Sequence, residues 1–272
     1  MTRSTIKDRK EPGPKDLRHE GNPKNKIWRK LLIAAIWIAV WYAAYGIVRQ
    51  EILIVSPDQV LFRLFSLLGE GEFWSSTLSS LLRIVTGFLL ATAAGCLVAV
   101  LSHASSFIYD LLSPVIRIIR ATPVTSFIIL ALIWLRTDSV PVFASFLMVF
   151  PIVWENIYKG IQGTSPQLKE MARVFRLKKG AVLKRIYIPS VMPYFIAACN
   201  ISIGMAWKAG IAAEILGVPV HSIGTRLYQA KIYLETIDVF AWTAVVILLS
   251  VVLEKVFIDL LKRAGDKYNV KI

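Results

Sequence analysis

The chain has few of the residues from which catalytic and metal sites are built. Its three histidines, His19, His103 and His221, lie far apart, and none has a partner at metal-ligand spacing. Its two cysteines, Cys96 and Cys199, lie in apolar runs without Cys-x-x-Cys spacing. The motifs His-Glu-x-x-His, Gly-x-Ser-x-Gly and the phosphate loop Gly-x-x-x-x-Gly-Lys-Ser/Thr are missing. We therefore predict no catalytic residue, no metal and no cofactor, so any ATP consumed would be bound by another protein.

Charged residues are also scarce. Only 18% of the chain is charged, 56% is hydrophobic and the mean hydropathy is +0.58. The charge is concentrated at the two ends and in one internal loop, so the remainder is predicted to consist of membrane-spanning helices. With 272 residues, the chain has room for one multi-span domain and no large soluble domain.

The formal net charge is +14, which in a soluble protein would suggest a nucleic-acid partner. However, 23 of the 32 Lys and Arg residues lie in three blocks, residues 1–30, 159–185 and 255–271. All three blocks fall on one side of the membrane if the chain crosses it six times. The preference of basic residues for the cytoplasmic side explains this pattern. Nucleic acid is therefore excluded, membrane lipid is expected, and both termini are predicted to be cytoplasmic.

The apolar runs define an all-α, polytopic membrane protein with about six transmembrane helices. A separate amphipathic helix, Pro57–Leu68, is too short to span and is predicted to lie along the outer surface. The predicted spans are Leu31–Val48, Ile84–Leu101, Phe107–Leu135, Val140–Tyr158, Tyr194–Glu214 and Val239–Ile258.

Three details of these segments carry structural predictions. Small residues recur at every fourth position of the second span, at Gly87, Ala91, Gly95 and Ala99, which predicts close approach of another helix. The third span is predicted to break near residues 121–123, since Pro123 cannot continue a helix. The segment between the fifth and sixth spans is predicted to be a polar outer loop with turns.

Intramembrane charge is costly and therefore marks residues that face protein or water. Arg120 and Pro123 at the predicted break, and Lys208 and Glu214 in the fifth span, are our candidates for the translocation pathway. Lys208 and Glu214 lie on different faces of one helix and cannot pair with each other. Structural ion pairing remains the alternative for both, and it is the favoured one for Arg120.

The internal basic loop, residues 159–192, has the pattern of a docking helix. Ser165 and Pro166 form a helix start, and Lys179-Gly180 forms a stop. Between them, apolar residues fall on one face, and basic residues occupy the other. The apolar stripe comprises Leu168, Met171, Ala172 and Phe175, and the basic face Lys169, Arg173 and Arg176. The stripe is predicted to bind a groove on a cytoplasmic partner, or to pack on the chain's own helix ends.

This loop resembles the signature Glu-Ala-Ala-x3-Gly-x9-Ile-x-Leu-Pro of permease subunits of ATP-binding-cassette (ABC) importers. Glu170, Ala172, Ile186 and Pro189 occupy matching positions. Flanking residues are similar to the nitrate/sulfonate/taurine-type branch, and the likeness extends from about residue 75 to residue 262. The supporting positions are Arg120-Ala-Thr-Pro123, Ile133-Trp134, Phe150-Pro151, Asn156, Gly160, Ala206-Trp207 and Ala213-Glu214.

The loop departs from the signature at three places. Met171 replaces the second alanine, Ile188 replaces the leucine, and Arg176 replaces the glycine. Arginine lacks the backbone freedom of glycine. We therefore expect the bend to fall later, near Gly180, or the helix to be longer than in relatives.

The resemblance implies a type I importer permease that forms the solute pathway and is coupled to separate ATPase subunits. It implies that Glu170 anchors the loop, that apolar residues fill the ATPase groove and that Pro189 sets the exit angle into the fifth span. The implied coupling residues are Leu168, Glu170, Met171, Ala172, Arg173, Phe175, Arg176, Leu177, Ile186 and Pro189. Further expected partners are an extracytoplasmic solute-binding protein and a second copy of the permease in a homodimer.

These inferences divide the chain into four parts and give it a bacterial-type inner-membrane location. We expect a disordered basic cytoplasmic tail (1–26), a first transmembrane helix with the outer amphipathic helix (27–74), the permease domain (75–262) and a cytoplasmic tail (263–272). The solute is expected to be a small anionic or organic nutrient, such as a sulfonate or nitrate. The alternative function is a non-transporting membrane scaffold or receptor that recruits a cytoplasmic partner through the basic loop.

Overall fold

A computed structural model describes the backbone of residues 23–266 and the side chains of residues 28–261 and 263. Within these residues the regular structure is entirely helical, which confirms the predicted fold class. The α-helices are α1 Pro23–Val48, α2 Pro57–Leu68, α3 Gly71–Ala104, α4 Ser106–Ala121, α5 Val124–Trp134, α6 Val140–Gln162, α7 Pro166–Val174, α8 Lys179–Val182, α9 Ile188–Gly217, α10 Ile223–Ile232 and α11 Thr236–Asp266. A 3-10 turn, Thr137–Ser139, precedes α6, and a π-helical turn, Leu183–Tyr187, joins α8 to α9.

Two units make up the chain, one ending at Arg49 and the other beginning at Gln50. The first contributes α1, whose 26 residues include the predicted first span. Residues 23–26, predicted to belong to the N-terminal tail, already lie in this helix; the rest of that predicted tail and residues 267–272 lie outside the described part. All other helices belong to the second unit.

Four segments of the described chain are long and apolar enough to cross a membrane, and the bent pair α4–α5 adds a fifth candidate. The four are Trp28–Val48, Gly71–Ala104, Thr137–Gln162 and Lys179–Gly217. The predicted sixth span, Val239–Ile258, lies within α11, which has 31 residues. At 1.5 Å per residue, α11 is about 46 Å long, more than the thickness of a bilayer core.

The core of the second unit is formed where α6 packs between α3 and α9. Gly87, Ala91, Gly95 and Ala99 are all buried, and the predicted close approach is confirmed. A Cβ atom on Gly87 would come within 2.8 Å of the Ser145 Cβ, and one on Gly95 within 2.9 Å of the Val153 side chain. Only glycine lets α3 and α6 lie this close.

The break in the third apolar run is confirmed. Helices α4 and α5 meet at Thr122–Pro123 with an angle of 105° between them. Both ends of α4 contact the C-terminal end of α6, which leads into the basic loop. Tyr109 stacks on Tyr158 with ring centroids 4.6 Å apart, and Arg120 pairs with Glu155. Helix α4 therefore lies across one end of the bundle, while α5 packs through Ile128 and Ala131 against α6 and α9.

The other predicted boundaries differ in informative ways. Helix α2 has the predicted bounds, whereas α3 begins 13 residues before the predicted span, because hydropathy marks the buried middle of a helix and not its polar ends. The segment between the fifth and sixth spans, predicted to be a polar outer loop with turns, contains the helix α10. Helix α10 is short and mixed in polarity, and its N-cap Ser222 accepts a hydrogen bond from the Thr225 N–H.

The glycine contacts yield a prediction about stability. Gly95→Ala forces a methyl group against Val153 and the backbone of Trp154, so we expect a loss of about 1–3 kcal/mol, typical of overpacking. Gly180→Ala is the matched control, because nothing lies within 4 Å of the position of its Cβ. Thermal unfolding of the purified protein in detergent should show a lower midpoint for the first variant only. Equal midpoints would contradict the close contact of α3 with α6.

Candidate functional site

Helix α7 forms the exposed tip of the basic loop. It begins as predicted, with Ser165 at the N-cap and Pro166 in the first turn. The Ser165 hydroxyl donates to the side chain of Gln167 at 2.6 Å and does not cap the backbone. The helix start therefore depends on proline geometry, which is already suited to the first helical turn.

The two alternatives for the apolar stripe apply to different residues. Ala172 and Ile186 are buried and attach the loop to its own chain. The remaining apolar side chains of α7 and its C-terminal turn are exposed: Leu168, Met171, Val174, Phe175 and Leu177. Val174 is 73% exposed and Phe175 71% exposed, so these two contribute most to the surface. Sequence reasoning missed Val174, although it lies three residues after Met171 on the same face.

Arg176 forms the turn that ends α7. Its φ of +47° lies in the left-handed region. The Arg176 N–H donates to the Arg173 carbonyl at 3.1 Å, and the Leu177 N–H donates to the Ala172 carbonyl at 3.0 Å. This pair of bonds is the Schellman motif, which usually has glycine at the left-handed position.

The expectation of a bend near Gly180 was therefore wrong. The chain turns at Arg176, and Gly180 lies inside α8. The backbone keeps the conformation that suits glycine because two hydrogen bonds and the buried Ala172 hold it there. A left-handed arginine costs about 1–2 kcal/mol relative to a right-handed one.

Pro189 lies in the first turn of α9, directly after the π-helical turn Leu183–Tyr187. Proline has no N–H to donate to the carbonyl four residues before it, and a local widening of the helix accommodates that loss. Segment Lys179–Gly217 is therefore one helical run of 39 residues that passes from the loop into the bundle. Pro189 marks its point of entry.

Charge on the loop is predominantly basic. Glu170 is exposed and, among the described residues, forms no hydrogen bond or ion pair. Lys169 places its Nζ 5.8 Å from the centre of the Tyr187 ring, and Arg173 and Arg176 are exposed. The loop thus presents one free carboxylate beside an apolar patch with a basic rim.

Glu214 lies at the opposite end of α9, and its side chain is fully buried. Its Oε2 accepts hydrogen bonds from the Ser80 hydroxyl at 2.7 Å and from the Gly224 N–H at 3.1 Å. Arg83 lies 3.8 Å from the other carboxylate oxygen. Ser80 also accepts from the Ile223 N–H at 2.9 Å. Glu214 therefore connects the start of α10 to α3, which supports the structural alternative for this residue.

Ion pairs extend from this end of the bundle to its surface. Arg83 also binds Asp138 at 2.7 Å, and Arg63 of α2 makes a bidentate contact with Asp238 of α11 at 2.6 and 2.9 Å. The hydrogen bond to Asp238, followed by that to Glu70, raises the pKa of the Arg63 guanidinium above its usual range. Helix α2 is thereby attached to the start of α11.

The two pathway candidates at the junction of α4 and α5 have different surroundings. Arg120 pairs with Glu155, whose other oxygen accepts from Lys159 at 2.7 Å. This supports the favoured structural alternative for Arg120. Pro123 is exposed and precedes α5, where it turns the chain.

Lys208 is the exception among these charges. Its side chain is exposed on α9 and, within the described residues, has no hydrogen bond or ion pair. At 1.5 Å per residue it lies about 14 Å from the end of α9 at Gly217. Lys208 lies within the predicted fifth span, Tyr194–Glu214, and a lipid-facing ammonium in a membrane span is unfavourable.

The bend at Arg176 can be tested directly. Arg176→Gly removes the cost of a left-handed side chain, so we expect about 1 kcal/mol of local stabilisation. Hydrogen–deuterium exchange of the 172–178 segment should become slower. Lys178→Gly is the matched control, because Lys178 has an ordinary φ of −59° and glycine there should make exchange faster. Faster exchange in Arg176→Gly would contradict the assigned turn.

The chain is similar in sequence to several transport permeases. SsuC of Bacillus subtilis, named as an aliphatic sulfonates transport permease, is 28% identical over 247 residues, covering 89% of this chain and 88% of SsuC. NrtB of Synechocystis, a nitrate import permease, is 28% identical over 248 residues, covering 85% and 90%. CmpB of Synechococcus elongatus, a bicarbonate transport permease, is 28% identical over 166 residues, covering 60% and 59%.

A solved structure of the MetNI methionine ABC transporter in inward-facing conformations is also similar, with a TM-score of 0.48 at 16% identity over 71% of this chain and 91% of that one. The family assignment does not depend on that likeness. Residues 91–267 match the family described as binding-protein-dependent transport system inner membrane component. The alternative of a scaffold or receptor without transport activity is therefore not favoured, and the chain belongs to this family and is a multi-pass permease of an ABC importer.

Proposed function

We propose that this permease imports a small anion, and that the exposed Lys208 in the middle of α9 contacts the anion as it crosses. Lys208 carries the proposal because its ammonium has no partner among the described residues, and a charge inside a membrane span must face water, solute or protein. The relatives are named for sulfonates, nitrate and bicarbonate, all of which are anions. Pro123, where α4 meets α5, is the other proposed pathway residue, whereas Arg120 is proposed to hold that junction together through its pair with Glu155. Glu214 is proposed to stabilise the outer end of the pathway.

The tip of the basic loop is proposed to bind a separate cytoplasmic ATPase subunit, where all ATP hydrolysis takes place. Two properties support this role. The exposed apolar side chains of α7 have the helical spacing that suits a groove, and the surrounding charge keeps them out of lipid. Glu170, with no partner among the described residues, is free to pair with a basic group on the ATPase.

The same arrangement supports a proposed orientation and assembly. The concentration of basic residues in three blocks supports a topology with the loop and both termini in the cytoplasm. One chain supplies a single α7, so a homodimer would present two equal docking sites to two ATPase subunits. The opposite end, with α2 and α10, would then face an extracytoplasmic solute-binding protein. The expected boundaries at residues 74 and 262 remain part of this proposal.

Coupling to the ATPase can be tested at Glu170. Glu170→Arg reverses the one carboxylate of α7, so we expect normal membrane insertion, loss of ATPase copurification and loss of ATP-dependent uptake. Glu235→Arg is the matched control, since it makes the same charge change at the exposed opposite end and should leave ATPase copurification intact. Normal uptake by Glu170→Arg would refute the coupling role.

The anion pathway can be tested at Lys208. Lys208→Gln removes the positive charge, so we expect uptake of the transported anion to fall roughly ten-fold or more, the usual effect of losing one charge-assisted contact. ATPase copurification should be unchanged. Lys255→Gln is the control, because it removes a similarly exposed lysine from α11. Uptake in reconstituted vesicles with the binding protein measures the difference, and unchanged transport would exclude the role of Lys208.

A further inference from the structure

An acidic side chain of α11 rests on the bare backbone of α9. The Oε1 atom of Glu254 lies only 2.7 Å from where a Cβ atom on Gly204 would be. Any residue larger than glycine at position 204 would push this carboxylate away. The contact brings a charged group of one helix to the surface of its neighbour without a side chain between them.

This contact lies deep in the bundle. At 1.5 Å per residue, Gly204 is about 24 Å from the start of α9 and about 20 Å from its end. The neighbouring packing fixes the level of α11, because the Trp207 indole donates to the Val246 carbonyl at 3.1 Å. Glu254 is half-buried and, among the described residues, has neither a hydrogen bond nor an ion pair. A carboxylate at this depth needs a counter-charge or water.

Lys208 is one helical turn beyond Gly204, on the same face of α9. Four residues correspond to a rise of about 6 Å. Side chains on a helix point towards its N-terminus. The four-carbon stem of Lys208 is therefore expected to extend towards Gly204 and the Glu254 carboxylate that lies against it. Two opposite charges, both without a partner in the described chain, therefore occupy neighbouring positions where α9 meets α11.

We infer that Glu254 is the exchangeable counter-ion of Lys208 and so a positioning residue for transport. When no anion is bound, the carboxylate takes the ammonium; when an anion arrives, it replaces the carboxylate and is later displaced by it. This inference rests on the proposed role of Lys208 in the pathway. It also meets a general requirement of transport, because a solute must bind well enough to enter and weakly enough to leave.

The geometry favours Lys208 over Lys255 as the partner of Glu254. Lys255 is adjacent to Glu254 in sequence, and neighbouring residues on a helix do not face each other. Gly204 is what makes the exchange possible, since it leaves the carboxylate free to swing between the backbone of α9 and the ammonium.

The test is a double-mutant cycle on the complete transporter reconstituted in vesicles. Glu254→Gln keeps the shape and removes the charge, so we expect anion uptake to fall roughly five- to ten-fold because the anion stays on Lys208. Uptake by Lys208→Gln should be lower still, and the double variant should transport at the rate of Lys208→Gln alone. Asp259→Asn is the matched control, removing an exposed acid from the same helix.

A purely structural role of Glu254 would give a different result. If the effects of the two single variants multiply, or if Glu254→Gln transports at the normal rate, the inference is wrong even though Lys208 keeps its role. If Lys208→Gln transports normally, the proposed role of Lys208 in the anion pathway is itself wrong. The two proposals are therefore rejected by different results.

Gly204→Ala keeps the inference testable if Glu254→Gln does not assemble. The added methyl group displaces the carboxylate without removing it, so uptake should fall in the same direction as in Glu254→Gln. Gly46→Ala is its control, because nothing lies within 4 Å of that position. Normal uptake by an assembled Gly204→Ala variant would contradict the need for a carboxylate held at this place.

Discussion

The approach of α6 to α3 and α9 sets the position of both ends of the second unit, because α6 has no room to move between them. Glycine residues at the contacts have no side chain that would keep the helices apart. A buried hydroxyl adds a hydrogen bond between α6 and α9, because Ser145 donates to the Ala206 carbonyl at 3.1 Å. In a membrane, where lipid competes equally with apolar side chains, such close packing is a main source of helix association. The loop at one end of α6 and the network around Glu214 at the other end are attached to this rigid centre.

The charged residues of the bundle differ in whether they form hydrogen bonds or ion pairs with neighbouring helices. Glu214 is buried between α3 and α10 and has two hydrogen-bond donors, whereas Arg120 is paired with Glu155 near the loop end. Such groups stabilise one arrangement of the helices and offer little to a passing solute. Lys208 and Glu254 lie outside this set, since neither has a partner among the described residues. In a permease, groups of this second kind are the ones that solute and conformational change can affect.

Much of the site could be predicted from the sequence, but the least local features could not. The bounds of α2, the break before Pro123, the start of α7 and the buried small residues of α3 all follow from periodicity and from the chemistry of proline and glycine. The bend at Arg176 could not be predicted in this way, because residue preference favours Gly180 while the hydrogen bonds to Arg173 and Ala172 hold the turn elsewhere. Helix α10 was missed because short helices of mixed polarity give a weak periodic signal.

The sequence by itself determined which segments enter the membrane, which loop is basic and which face of α7 is apolar, because hydropathy, charge and helical period are properties of neighbouring residues. Only the tertiary structure decided the fate of individual charges. Glu214 and Lys208 look alike in sequence, as single charges in one apolar helix, yet one is buried and the other exposed. The contact of Glu254 with Gly204 is likewise invisible in sequence, because it depends on which residues of α9 and α11 meet when two helices far apart in the chain pack together.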